Sequence, residues 1–124
     1  PDLRNPQVKN EAEAVEKLAE AYRNVFREFV EHGLEKMRLL PISGGIFSGA
    51  FKEQLPEITV DAVQKAFEKL LKEEERQHVR GSSIEMCIFM ESEFDKFAAA
   101  FDKLKEGGSE LMSALEVKGY GILG

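Results

Sequence analysis

Leu39-Leu40-Pro41-Ile42-Ser43-Gly44-Gly45-Ile46-Phe47-Ser48-Gly49 reads as a buried strand that runs straight into a glycine-rich loop. Loops of this kind, at the carboxyl end of a strand in an open α/β sheet, are where phosphate-bearing ligands sit. The strand is expected over Met37–Ile42. Pro41 gives no N–H to a ladder, so regular pairing should weaken just before the loop. Downstream, a helix should begin near Leu55-Pro56-Glu57, with Pro56 in its first turn, or at Thr59 as a rival cap.

Either side of this stretch the apolar spacing is helical. Val15, Leu18, Ala19, Tyr22, Val25, Phe26, Phe29 and Val30 recur every three or four residues, the stripe of an amphipathic helix. Asn10 is its expected N-cap and Gly33 its stop. The plain reading of Tyr22 and the phenylalanines is core packing. Beyond the loop, Ile58, Ala62, Val63, Ala66, Phe67, Leu70 and Leu71 form a second stripe. The charged run Lys72–Arg76 reads as its solvated last turn. Ile84–Met90 is apolar on both faces after Glu85, which suits a covered central strand. Ser92, with Asp95 three residues on, should cap a third helix. Phe94, Phe97, Ala98, Phe101 and Leu104 are its apolar face. Gly107-Gly108 ends it, a short turn should span Glu110–Leu115, and the glycine-rich tail Lys118–Gly124 is expected to be mobile. The polar segment Pro1–Asn10 reads as a loop.

The order strand–loop–helix–strand is a βαβ unit, so the fold class is α/β with two parallel strands and three main helices. Two parallel strands do not make a stable sheet, and both edges would carry unpaired backbone groups. The chain opens at Pro1 without an initiating methionine. It is therefore expected to be the carboxyl-terminal portion of a single larger domain. Its missing strands would come from an N-terminal half or from a second copy.

Bulk properties narrow the function. The 124 residues are 43% hydrophobic and 32% charged, ordinary for one globular domain. A net charge of −6 without a basic block argues against nucleic acid or an anionic membrane as partner. A compact anion remains compatible, because backbone N–H groups bind phosphate without positive net charge. No apolar run approaches the roughly 18 residues of a membrane span. The lone Cys87 and the lack of a signal peptide favour an intracellular setting, cytoplasmic or nuclear.

Candidate chemistry centres on Ser43, Gly44, Gly45, Ile46, Phe47 and Ser48. The glycines permit close backbone approach and positive φ, and successive N–H groups form an anion nest. The bland reading is a βα connection with no ligand. Neither Gly-Lys-[Ser/Thr] nor G-x-G-x-x-G is present, so this is neither a Walker loop nor a dinucleotide fingerprint. His32 and His78 sit near helix carboxyl ends and share no metal-ligand spacing with Cys87 or a carboxylate pair, so no metal and no cofactor are expected. Cys87 reads as inert packing within a buried strand. Glu57 and Asp61 read as ordinary first-turn acids.

The segment Met37–Gly49 followed by Leu55–Leu71 resembles the second half of macro domains, the ADP-ribose-binding modules. Ser43, Gly45, Ile46, Phe47 and Gly49 match a family pattern of Ser-x-Gly-[Ile/Val]-[Phe/Tyr]-x-Gly. Leu18-Ala19-Glu20-Ala21-Tyr22 looks like the preceding family helix. Ile88-Phe89 and Phe94-Asp95-Lys96-Phe97 are similar to its last strand and helix, and Pro1-Asp2 to a pair that follows a histidine-containing strand. The resemblance runs from Pro1 to about Lys105. It implies a mixed sheet of six or seven strands between helix layers. It also implies that N–H groups of Gly45, Ile46 and Phe47 hold a diphosphate, that Phe47 lies against the distal ribose, and that Phe89, with Met90 beside it, borders adenine.

The family's adenine-reading acid, its ribose-binding asparagine and its first glycine-rich loop belong to the other half. So do the parts used by members that hydrolyse ADP-ribose esters. The resemblance therefore implies binding of ADP-ribose or ADP-ribosylated protein, with catalytic residues unknown and residues 1–124 inactive alone. One rival is a structural or interaction module that keeps the fold without a ligand. Another is a mostly helical domain whose apparent strands are buried helix segments.

Overall fold

The computed structural model describes residues 11–42 and 53–123. The expected loop Pro1–Asn10, with its Asn10 cap, and the whole of Ser43–Gly49 fall outside those residues.

Helix α1 (Glu11–Glu31) buries Ala14, Leu18, Ala19, Tyr22, Phe26 and Phe29, as its 3.6-residue period requires. It stops where Gly33 takes φ +65°. There the Leu34 N–H donates to the Phe29 carbonyl and the Gly33 N–H to that of Val30, a left-handed glycine cap. Strand β1 (Lys36–Leu39) is four residues long, shorter than the expected Met37–Ile42. Pairing ends before Pro41, which cannot donate.

Helix α2 (Leu55–Lys65) starts with Pro56 in its first turn, where a missing N–H costs nothing. Thr59 is thus inside the helix and is not its cap. The second stripe does not end in one helix. It loosens into a π turn over Ala66–Leu70, and Leu71 breaks it with extended backbone. The charged run then opens a helix of its own, α3 (Glu73–Arg80). The Glu75 carboxylate accepts the Lys72 N–H at 2.7 Å, half of a capping box. Acids in its first turn and His78 and Arg80 in its last suit the helix dipole.

Strand β2 (Ser83–Met90) leads directly into α4 (Glu91–Glu106). Met90 occupies the cap position without a side-chain bond, so Ser92 does not cap this helix. A 3-10 turn over Glu110–Ser113 follows. Then comes a third strand, β3 (Leu115–Leu123). This corrects the expectation of a mobile tail. Leu115 and Val117 alternate with Glu116 and Lys118, the period of a half-buried strand, and the glycines hide that pattern.

Among the described residues the sheet is therefore three-stranded and fully parallel, in the order β1-β2-β3. The α/β class stands, with four α-helices among those residues, and the mostly helical alternative falls. Right-handed crossovers between strands in sequential order put both connecting segments on one face. The core agrees. Ile84, Met86 and Ile88 of β2 join Leu39, Leu115 and side chains of α1, α2 and α4 in a single cluster. The intervening Glu85, Cys87 and Phe89 belong to the opposite face. Toward the amino ends of the strands that face is polar and wet: Arg38 is 74% exposed and Lys118 51%.

Candidate functional site

The carboxyl edge of the sheet is where the predicted loop leaves and where Phe89 stands. Register Leu39↔Met86 sets the end of β1 beside β2, so the chain leaving at Leu40 does so next to the last turns of the central strand. Two of the three large apolar side chains left exposed among the described residues, Leu40 and Met90, belong to this edge.

Tyr22 governs how the chain departs. Its ring is fully buried in α1. Its hydroxyl donates to the Leu40 carbonyl at 3.1 Å and accepts from the Ile42 N–H at 3.0 Å. Those two groups flank Pro41 and would both pair with a single partner residue in a parallel ladder. The hydroxyl takes that residue's place, so backbone next to a proline stays satisfied. Burial pushes the Tyr22 pKa well above its ordinary value, against a smaller lowering by the Ile42 bond. The group therefore stays a neutral donor. Its stripe position marked it for the core; nothing in the sequence paired its hydroxyl with residues 40 and 42.

Phe89 lies half-buried on the polar face, stacked on Tyr120 of β3 with ring centroids 5.1 Å apart and planes 21° from parallel. The Tyr120 hydroxyl donates to Glu85 Oε1 at 2.8 Å. Arg38 Nε and Lys118 Nζ approach the same carboxylate at 3.6 and 3.9 Å. The bond to Glu85, then desolvation, then the neighbouring Cys87 thiol push the Tyr120 pKa up to about 12. Cys87 itself is buried. The three glycines of Lys118–Gly124 hide the tyrosine-bearing β3 in the sequence.

Beside this stack a cleft of about 550 Å³ opens between β3 and the start of α4, lined by Ile88, Glu91, Phe94, Asp95 and Gly119–Gly121. Gly119 is needed there. A Cβ on it would stand 2.7 Å from Phe94 Cδ1, so the ring rests on bare backbone.

Of the predicted site residues, Phe89 is thus at the carboxyl edge. Ser43, Gly44, Gly45, Ile46, Phe47 and Ser48 lie outside the described residues. The histidines have structural partners: His32 meets Glu28 at 3.1 Å, and His78 bonds the Leu34 carbonyl at 2.6 Å and meets the Phe29 ring edge-on. Among the described residues no group of three histidine, cysteine or carboxylate side chains is arranged to hold a metal ion. No described helix is long and apolar enough to cross a membrane. Asp61 has a raised pKa, from desolvation first and then the charges of Glu57 and Glu11.

A second cleft of similar size lies between the π turn, α3 and the end of α4, with Arg76, Arg80 and Lys103 on its wall. Its guanidinium groups are already engaged. Arg76 bonds the Leu71 carbonyl and Glu73, and Arg80 bonds Glu73 and Glu110. Those arginines hold the Glu73 carboxyl below its usual range. The cluster ties α3 to the 3-10 turn. Comparison of the chain with protein-family models, curated proteins and solved structures finds no match.

Proposed function

We propose that the carboxyl edge of this sheet forms one side of a binding site for ADP-ribose or an ADP-ribosylated protein. In this reading the backbone N–H groups of Gly45, Ile46 and Phe47 take the diphosphate and Phe89 walls the adenine. The observation that supports it is the parallel pairing of β1 with β2. A glycine-rich loop leaving β1 and an aromatic ring ending β2 then share one edge, where α/β sheets bind ligands. The exposed Leu40 and Met90 give that edge apolar surface to cover. The other wall of the cleft would come from a second copy or a further segment pairing with the edge of β1 that no described strand occupies.

Calorimetric titration with ADP-ribose tests this. The completed assembly should bind, and Gly45→Glu should abolish binding by putting a bulky like charge into the diphosphate cradle. Residues 1–124 alone should bind weakly or not at all, and micromolar binding by them would refute the half-site. An interaction module without a ligand is the second reading. It is favoured by the fact that one face of the Phe89 ring is already covered by Tyr120. A completed assembly that binds no ADP-ribose would favour it further.

A further inference from the structure

Strand β3 is built in two parts. Through Gly119 it keeps strict register with β2, pairing Ile84↔Leu115 to Ile88↔Gly119. Buried Leu115 holds that half in the core. The next pair is Met90↔Leu123, so β3 advances four residues while β2 advances two. An excess of this kind leaves residues out of the ladder and bends the strand. Gly121 lies in this irregular part with φ +59°, a conformation that side-chain-bearing residues avoid. The backbone here is weakly paired. Beside the Met90↔Leu123 pair, what holds it is a side chain: Tyr120, ring on Phe89 and hydroxyl on Glu85.

We propose that Tyr120–Leu123 is a strap latched by Tyr120 over the central strand, and that its ring occupies the face of Phe89 that a planar base would take. The second clause rests on the ADP-ribose reading; the strap does not. The latch consists of one aromatic stack and one charge-assisted hydrogen bond, both at a half-buried site. Segments held this way open locally, without global unfolding. Opening frees Phe89 and widens the cleft beside Gly119. It also uncovers Cys87, which neighbours the Tyr120 hydroxyl and is 2% exposed.

The test compares the chain with its Tyr120→Ala and Tyr120→Phe variants. It reads amide hydrogen exchange across β3 and the rate of Cys87 modification by a thiol reagent. Tyr120→Ala should speed exchange at Tyr120–Leu123 and thiol modification by about tenfold or more, from loss of the stack and the bond together. Exchange at Leu115–Lys118 should not change. Tyr120→Phe, which keeps the ring, should fall between. If Tyr120→Ala exchanges and reacts as the parent does, or if all of β3 is released together, there is no strap. If Tyr120→Ala fails to fold, unchanged rates in Tyr120→Phe overturn the latch equally. A ligand arm uses saturation-transfer NMR with ADP-ribose. A stronger signal from Tyr120→Ala than from the parent supports occupancy of the base position. Equal signals overturn that occupancy while the binding reading stands. No signal from either protein means that freeing Phe89 creates no base site and overturns that occupancy; the half-site reading, which expects little or no binding by residues 1–124 alone, stands, and the exchange data still decide the strap.

Discussion

The chain has two tyrosines, and each secures one edge strand of the sheet where it departs from regular pairing. Tyr22 does so from inside the core. Its hydroxyl replaces a missing ladder partner beside Pro41, and both of the groups it touches are main-chain polar atoms. Tyr120 does so from the polar face, by stacking and by a bond to a carboxylate that two cations also approach. The difference lies in solvent. A hydroxyl on a fully buried ring that bonds two main-chain groups is costly to remove, whereas a half-buried one is replaced by water. One edge is braced and the other is latched.

The largest effect tests the brace. Tyr22→Ala opens a large void and should cost about 3–5 kcal/mol in urea denaturation. Tyr22→Phe keeps the volume and strands the Leu40 carbonyl and Ile42 N–H, for about 1–3 kcal/mol. A Tyr22→Phe protein as stable as the parent would show that the hydroxyl carries nothing, and the contrast with Tyr120 would collapse. Gly119→Ala comes next. Its new methyl meets the Phe94 ring at 2.7 Å, an overpacking cost of about 1–3 kcal/mol. Pairing it with Phe94→Ala should recover part of that loss in a double-mutant cycle; strict additivity would mean the ring does not rest on Gly119. Thr59 is the counterpart of Tyr22: a fully buried hydroxyl with no hydrogen-bond partner among the described residues. Thr59→Val keeps the shape and removes the unpaired group, so it should stabilise by about 1 kcal/mol. A destabilised Thr59→Val would mean that buried hydroxyls here are worth the same whether paired or not.

The parts of the fold visible in sequence were those governed by a clean period. The α1 stripe and the apolar run of β2 gave elements that match, because burial on a fixed face imposes 3.6 or 2 residue spacing. The second stripe gave the buried face of α2 but not its break at Leu71. Gly33 and Gly107-Gly108 ended helices for a conformational reason that composition alone reveals. Two elements were hidden. Helix α3 buries only Val79, and its identity comes from acids before bases and from ion pairs to Arg76 and Arg80, which leave no apolar period. Strand β3 alternates correctly, but Gly119 and Gly121 read as breakers when each is in fact required, one by Phe94 and one by its φ. Of the candidate site, Phe89 is named only by the macro-domain resemblance, and it stands one residue before the end of β2. Its cover could not be named, because Tyr120 reaches it through a crossover 31 residues along the chain.

The smallest effect separates the two hydroxyls by pH. Both pKa values are raised in the fold, Tyr22 mainly by burial and Tyr120 chiefly by its bond to Glu85. The folded chain therefore binds these protons more tightly than the unfolded chain does. The stability they contribute is complete below the ordinary tyrosine range near pH 10 and falls as pH rises toward the folded values. Phenolate absorbance should consequently appear in two stages. Tyr120, at the half-buried edge, should ionise near pH 12 with the helices still folded, and Tyr22 should ionise only with global unfolding. Tyr120→Phe should delete the first stage and shift the urea midpoint at neutral pH less than Tyr22→Phe does. Tyr22→Phe should delete the second stage and reduce the alkaline loss of stability. A single phenolate transition coincident with unfolding in the parent would make the two tyrosines equivalent, and the strap would then be as firmly seated as the core.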